Sequence, residues 1–306
     1  MTEIAVLIPC YNEVMTIGDV IQDFQNQIPQ ARIYVYDNNS TDDTKNTAQR
    51  SGAIVKDVPR QGKGHVITAM FRDIDADVYV MVDGDNTYPS EEIHKLLQPV
   101  IQSRVDICIG DRLSNGTYFQ ENKRHFHNFG NLLVRKLING LFGGGLKDIM
   151  SGYRVMNKRF VKSFPIRSGG FEVETEMSIF SLNMKFEIDE IPIQYRDRPA
   201  GSFSKLNTFQ DGIRVIKTII KIFKDYKPLL FFSLFSVIFS ILGIGLGTPV
   251  IIEYLQSGLV PRFPTAILAM GLMILSALSL VSGLILDTIA KNHKEILELH
   301  IKRKFF

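Results

Sequence analysis

Over the first hundred residues, short apolar runs alternate with stretches whose apolar positions recur at helical spacing. Strands are predicted at residues 4–8, 32–36, 53–58, 77–82 and 105–110, and helices at 16–27, 40–51, 63–73 and 90–103. The helix at 40–51 opens on a cluster of Ser, Thr and Asp, the residue types that satisfy free backbone N–H groups at a helix start. This βαβα rhythm predicts an α/β fold with a mainly parallel central sheet covered on both faces. Ligands of such sheets bind beyond the carboxyl ends of the strands.

The pattern then changes. Residues 115–198 mix helix and strand signals. Within 124–142, Phe126, Phe129, Leu133, Leu137 and Leu141 form a helical stripe, which fits either a core-facing helix or contact with a membrane interface. Within 207–227, Phe209, Ile213, Ile216, Ile220 and Phe223 share one face, while Arg214, Lys217, Lys221 and Lys224 fall largely elsewhere. A basic amphipathic helix at an interface is favoured there over a plain core helix.

Residues 229–252 and 265–286 contain no charged side chain, and each reaches the ~20 residues that span a bilayer. A helical hairpin buried in a soluble core is the alternative. Lysines crowd both flanks of the pair, and the connection at 253–264 carries one acid and one base. The positive-inside rule therefore places both flanks in the cytoplasm, in a multi-pass protein of the cell membrane. The expected organisation is a catalytic domain at 1–206, an interfacial helix at 207–227, a membrane hairpin at 228–286 and a basic tail at 287–306.

Composition adds exclusions. A net charge of +3 with no long basic run gives no argument for a nucleic-acid partner. Cys10 and Cys108 lie in or beside apolar runs without zinc spacing and read as buried thiols. The chain enters a strand at once, without a signal peptide, so the catalytic domain is expected to remain cytoplasmic.

Candidate chemistry collects at the ends of the predicted strands. The fourth ends in Asp83-Gly84-Asp85. Alternate side chains of an extended segment share a face, so these carboxylates can converge on Mg²⁺ or Mn²⁺ together with substrate phosphates. Such triplets also occur in ordinary loops; the position at a strand end strengthens this one. The first strand runs into Pro9-Cys10-Tyr11-Asn12-Glu13, and the second into Tyr36-Asp37 and Asn38 through Thr44. Aromatic and carboxylate groups at adjacent strand ends suit a nucleoside. The chain carries neither a Gly-x-Gly-x-x-Gly motif after the first strand nor a Walker lysine motif. Gly62-Lys63-Gly64 reads as a turn with a solvated lysine, and Gly143 to Gly145 as a flexible backbone.

These motifs resemble the family 2 glycosyltransferase domain. Two further segments, Leu146 to Arg154 and Tyr195 to Leu206, are similar to those of polyprenyl-phosphate glycosyltransferases, the group that includes dolichyl-phosphate mannose synthases and bacterial enzymes of the GtrB type. The resemblance covers essentially the whole chain. It implies a GT-A-like nucleotide-binding domain and an inverting, metal-dependent transfer of a sugar, glucose first, from a UDP-sugar to a polyprenyl phosphate such as undecaprenyl phosphate. Pro9, Tyr11, Glu13 and Asp37 would hold base and ribose. Asp83, Gly84 and Asp85 would hold the metal and diphosphate, and Arg198 with Lys205 would close over the donor. Arg112, Arg124 and Asn128 would meet the acceptor phosphate, although Asn128 replaces the smaller serine of the dolichyl relatives. Asp148 matches a carboxylate proposed as catalytic base. Relatives of this kind suggest a homo-oligomer, a tetramer. The alternatives are transfer from GDP-mannose and a non-catalytic membrane scaffold. The absence of tryptophan argues against a processive polysaccharide synthase, which carries a Gln-x-x-Arg-Trp motif.

Overall fold

The structure, a computed structural model, describes residues 2–114, 116, 125–199 and 208–305. It divides into two compact units, Met1–Ile219 and Ile220–Phe306.

The first unit is built on a seven-stranded sheet. Strands β1 (Ile4–Cys10), β2 (Arg32–Asp37), β3 (Ile54–Asp57) and β4 (Val78–Met81) alternate with helices α1 (Ile17–Gln27), α2 (Thr44–Arg50) and α3 (Lys63–Asp73). A 3₁₀ turn and α4 (Ile93–Ile101) lead to β5 (Ile107–Asp111), and α5 is His125–Phe142. Then come β6 (Arg154–Asn157), α6 (Lys158–Ser163), α7 (Val173–Met184) and β7 (Ile188–Pro192). Every residue of β1, β4 and β5 is buried, as expected of strands covered on both faces.

The strand order is β3-β2-β1-β4-β6-β5-β7. From β1 the chain steps outward to β3, then returns to place β4 on the other side of β1. That reversal makes a switch point between β1 and β4, with a crevice beyond their carboxyl ends. The sheet is mainly parallel, but β6 runs antiparallel to both its neighbours, β4 and β5. The sequence rhythm missed β6 and β7. β6 has only four residues, Arg-Val-Met-Asn, whose charged first member masks the strand signal.

Helix α2 begins at Thr44 rather than at residue 40. The intervening side chains are used elsewhere. The Asn12 N–H donates to Ser40 Oγ (2.9 Å), the Thr41 N–H to Asn12 Oδ1 (2.8 Å), and the Glu13 N–H to Thr44 Oγ1 (2.8 Å). These bonds stitch the loop after β1 to the loop after β2. Asn12, Asn39 and Asn86 take positive φ just beyond β1, β2 and β4, a conformation that asparagine tolerates better than most residues.

On α5 the side chains of Phe126 and Phe129 lie outside the described residues, and Leu133 and Leu137 of the predicted stripe are not on the core face. Val134, Ile138 and Phe142 are buried, whereas Leu133 and Leu137 are exposed. Helix α8 (Thr208–Tyr226) is likewise two-faced. Val215, Ile219 and Ile222 are buried, and Ile213, Ile216 and Ile220 are exposed beside Lys217, Lys221 and Lys224. A core-facing helix accounts for Val215, Ile219 and Ile222 but not for the exposed Ile213, Ile216 and Ile220.

In the second unit, α9 (Pro228–Ser257) packs along α10 (Phe263–Phe305). The predicted second span and polar tail form one continuous 43-residue helix. At ~1.5 Å per residue it far exceeds a ~30 Å hydrocarbon core. The buried positions of α9 include Ser236, Gly243 and Val250, and those of α10 include Ala269, Ser276 and Gly283. Each set repeats every seven residues and is mostly small, which lets the backbones approach. Ser276 Oγ donates to the Ser236 carbonyl at 2.8 Å. Most remaining large apolar side chains of the pair are exposed. Both helices are therefore long and apolar enough to cross a membrane, and a buried soluble hairpin does not fit that exposure.

Candidate active site

The crevice between β1 and β4 is lined by the predicted strand-end loops. Beyond Met81 the chain leaves the strand and turns through Gly84 and Asp85, so a turn, rather than extended alternation, sets the two carboxylates. Thr16 Oγ1 donates to the Gly84 carbonyl (2.6 Å), fixing this turn to the loop after β1. Asp85 Oδ1 accepts from Thr87 Oγ1 (2.7 Å).

Each carboxylate faces a cation. Lys63 Nζ lies 2.5 Å from Asp83 Oδ1, and Arg198 Nη2 lies 2.5 Å from Asp85 Oδ2. Arg198 Nη1 is 3.4 Å from Glu13 Oε1, so this guanidinium bridges the loops after β1 and β4. Burial alone would weaken its hold on the proton, but Asp85 and Glu13 outweigh burial and raise its pKa. The chain enters the crevice again at Gly152, where a Cβ would stand 2.6 Å from Asp83 Oδ2. The Gly152 N–H donates to Tyr88 Oη (2.9 Å).

Lys63 was read from sequence as solvated, and the structure corrects that. Its side chain is 11% exposed and also lies 2.5 Å from Glu174 Oε1 on α7. Burial would depress its pKa, but Asp83 and Glu174 reverse the effect and hold the ammonium charged. The flanking glycines serve close approach. Cβ atoms at Gly62 and Gly64 would stand 2.2 Å from the Gly169 carbonyl oxygen and 2.0 Å from that of Ser168. Gly62 also has φ +128°, which L side chains rarely adopt. Glu176, two residues beyond Glu174, accepts from the Arg167 and Ser168 N–H groups and secures the facing loop.

At the ends of β1 and β2, Pro9 is buried, Tyr11 half-buried, and Asp37 buried. Asp37 Oδ2 accepts from the Ser40 N–H (3.0 Å), while its buried Oδ1 has no hydrogen-bond partner among the described residues. Orphaned buried acceptors are uncommon and invite a ligand donor. Asn38 is saturated: its amide donates to the Val58 and Arg60 carbonyls and accepts from the Gly62 N–H, tying β2 to the Lys63 loop.

Asp148 and Arg112, which sequence reading placed in separate roles, form one buried ion pair. Arg112 Nε and Nη2 donate to Asp148 Oδ2 (2.7 Å) and Oδ1 (2.9 Å), and the Arg112 N–H adds a third bond at 3.0 Å. The guanidinium also lies over the rings of Tyr88 and Tyr195, at 6.0 and 5.8 Å. Beneath this layer Arg154 is fully buried. It donates to the Ser151 and Ile149 carbonyls and to Ser178 Oγ, holding the 148–152 loop in shape. Burial lowers its pKa to about 10. Arg124 and Lys205 lie outside the described residues, and so does the side chain of Asn128.

Among the described residues, no group of three or more His, Cys, Asp or Glu side chains could hold a metal ion. Asp83 and Asp85 do fit a hard divalent ion that takes its other oxygens from water and phosphate. Both carboxylates already face positive charge across the crevice.

The sequence pattern described as Glycosyl transferase family 2 matches residues 5–164, which hold the strand-end loops and Asp148. The chain belongs to glycosyltransferase family 2. Within the curated relatives, Glycosyltransferase AglJ of Haloferax volcanii is 29% identical over 296 residues, 95% of each chain. The dolichyl-phosphate hexose transferase of the same organism is 30% identical, over 72% of this chain and 93% of its own. Protein RfbJ of Shigella flexneri is 48% identical over 122 residues, 40% of this chain and 95% of its own. Among solved structures, the glucosyl-3-phosphoglycerate synthase of M. tuberculosis superposes with a TM-score of 0.59 at 21% identity, covering 72% of this chain and 80% of that one. That likeness shows the GT-A-like fold. The same enzyme has been crystallised with Mn²⁺ and UDP-glucose.

Proposed function

We propose that this glycosyltransferase moves a hexose, glucose first, from a UDP-sugar to a polyprenyl phosphate with inversion at the anomeric carbon. The observation that carries the reading is the Asp83–Asp85 turn at the β1/β4 switch point, with cations on both carboxylates, together with the orphaned Asp37 oxygen at the end of β2. Relatives named as transferases to dolichyl phosphate support a lipid phosphate acceptor.

Pro9, Tyr11, Glu13 and Asp37 would receive the nucleoside, with Asp37 Oδ1 accepting from an N–H of the base or a ribose hydroxyl. Asp83 and Asp85 would hold Mg²⁺ or Mn²⁺, which supplies charge neutralisation at the leaving diphosphate. Arg198, released from Asp85, would pair with that diphosphate, and Lys205 would join it. Arg112, Arg124 and Asn128 would receive the acceptor phosphate. A phosphate monoester has a second pKa near ~6 and is largely a dianion at neutral pH, so it attacks without strong general-base help. Asp148 therefore acts through charge: it orients Arg112 and stabilises positive character at the sugar.

The acceptor's reactive group lies at headgroup level, so the crevice must work next to a bilayer. The exposed Ile213, Ile216 and Ile220 with the flanking lysines of α8, and Leu133 and Leu137 of α5, supply apolar and basic interfacial contacts. In this topology both flanks of the hairpin are cytoplasmic and the α9–α10 turn is external. A cysteine placed at Ser257 should label from outside intact cells with a membrane-impermeant maleimide, and one at Lys302 should not. The reverse pattern would overturn the orientation.

The reaction itself is tested with a panel of UDP-glucose, UDP-N-acetylglucosamine, UDP-galactose and GDP-mannose, each with undecaprenyl phosphate. The expected result is transfer from one UDP-hexose at least tenfold faster than from GDP-mannose. Preference for GDP-mannose would favour the mannose-synthase alternative, and no transfer from any donor would favour a scaffold.

A further inference from the structure

Lys63 stands between two acids, and only one of them, Asp83, belongs to the proposed reaction. The second, Glu174, is 3% exposed and sits in the first turn of α7, a helix on which the sequence motifs placed no function. The lysine spans them with two 2.5 Å contacts. Its backbone is clasped by the Ser168–Gly169 segment, which Glu176 of the same helix secures. A solvated lysine on a turn needs none of this support.

We infer that Lys63 and Glu174 form a positioning bridge that fixes the rotamer of Asp83 and sets the net charge offered to the donor-bound metal. The inference rests on the reading of Asp83 and Asp85 as the metal-facing pair. An aspartate side chain at the end of a turn has two torsions to hold. Gly152 packs against one carboxylate oxygen and Lys63 takes the other. Glu174 prevents Lys63 from belonging to Asp83 alone. The trio carries a net charge of minus one, so Asp83 remains attractive to a divalent cation although an ammonium group touches it.

Charge and geometry separate by substitution. Glu174→Gln makes the trio neutral and gives Lys63 wholly to Asp83. Lys63→Met leaves two adjoining carboxylates, an uncompensated burial that destabilises the fold. The double substitution restores the original net charge without the lysine. Mn²⁺ binding to the full-length protein is read by electron paramagnetic resonance in the presence of UDP. Melting temperature and turnover at saturating Mn²⁺ are read alongside. Removing one negative charge beside the ion should weaken Mn²⁺ binding about tenfold in Glu174→Gln. Lys63→Met should bind Mn²⁺ no more weakly than the wild type, but melt lower. The double variant should recover the melting temperature and still turn over one to two orders of magnitude more slowly, the loss expected when a charge-assisted hydrogen bond disappears. Lys63→Arg should recover part of that turnover.

Wild-type turnover in the double variant would reduce Lys63 to a structural cation. Unchanged Mn²⁺ affinity in Glu174→Gln would remove Glu174 from the bridge. Should the wild type bind Mn²⁺ with UDP yet transfer nothing to a lipid phosphate, the proposed reaction falls, while the order of Mn²⁺ affinities still decides on the bridge.

Discussion

Asp85→Ala is expected to reduce sugar transfer by three orders of magnitude or more, with a melting temperature close to that of the wild type. Three effects combine. One of two hard oxygen donors for the metal disappears, so charge on the leaving diphosphate is poorly neutralised. Arg198 loses its 2.5 Å partner, while its longer contact to Glu13 remains. The turn loses the Asp85–Thr87 hydrogen bonds. The sheet should survive, because Thr16 still anchors the Gly84 carbonyl to the loop after β1. Isothermal titration with UDP and Mn²⁺, together with a turnover assay, checks this. Full activity of the variant in chelator would remove the metal from the account.

The second large effect is expected at Asp148. Asp148→Asn keeps the shape but removes the charge that holds Arg112 by three hydrogen bonds. The guanidinium then loses the carboxylate charge that holds it at two points, and turnover should fall by one to two orders of magnitude. UDP affinity should stay near that of the wild type, because the proposed reaction assigns Asp148 and Arg112 to the acceptor side. Arg112→Lys should differ. Lysine cannot reproduce the two-point geometry, so the apparent KM for lipid phosphate should rise. Steady-state kinetics with each substrate varied in turn separate the two. If Asp148→Asn weakened UDP binding instead, the Arg112–Asp148 pair would belong to the donor side.

The sequence displayed where most residues of the proposed donor side lie, because each polar motif directly follows an apolar run. Asp37 and the Asp83–Asp85 turn sit where strand prediction alone put them. The mainly parallel sheet followed from the βαβα rhythm for the same reason. Lys63 was not legible in this way. Its partner Glu174 comes from a helix in the second half of the chain, and burial of a lysine beside a distant acid leaves no local pattern. The pairing of Arg112 with Asp148 was hidden similarly, since it depends on an antiparallel strand, β6, that the rhythm did not reveal. The core faces of α5 and α8 went unrecognised because each helix carries a second apolar set beside the predicted stripe, whose described members Leu133, Leu137, Ile213, Ile216 and Ile220 are exposed. Periodicity finds a stripe, but it cannot say which of two faces the protein.

The central claim is that the crevice between β1 and β4 transfers a sugar to a lipid phosphate. The direct measurement is the appearance of radiolabelled sugar in the organic phase when purified protein is given labelled UDP-glucose, Mn²⁺ and undecaprenyl phosphate, with one component omitted at a time. The account predicts label in the lipid only with all three present, and its loss in Asp85→Ala. Sugar transferred equally well without the polyprenyl phosphate, to water or to a soluble acceptor, would contradict it.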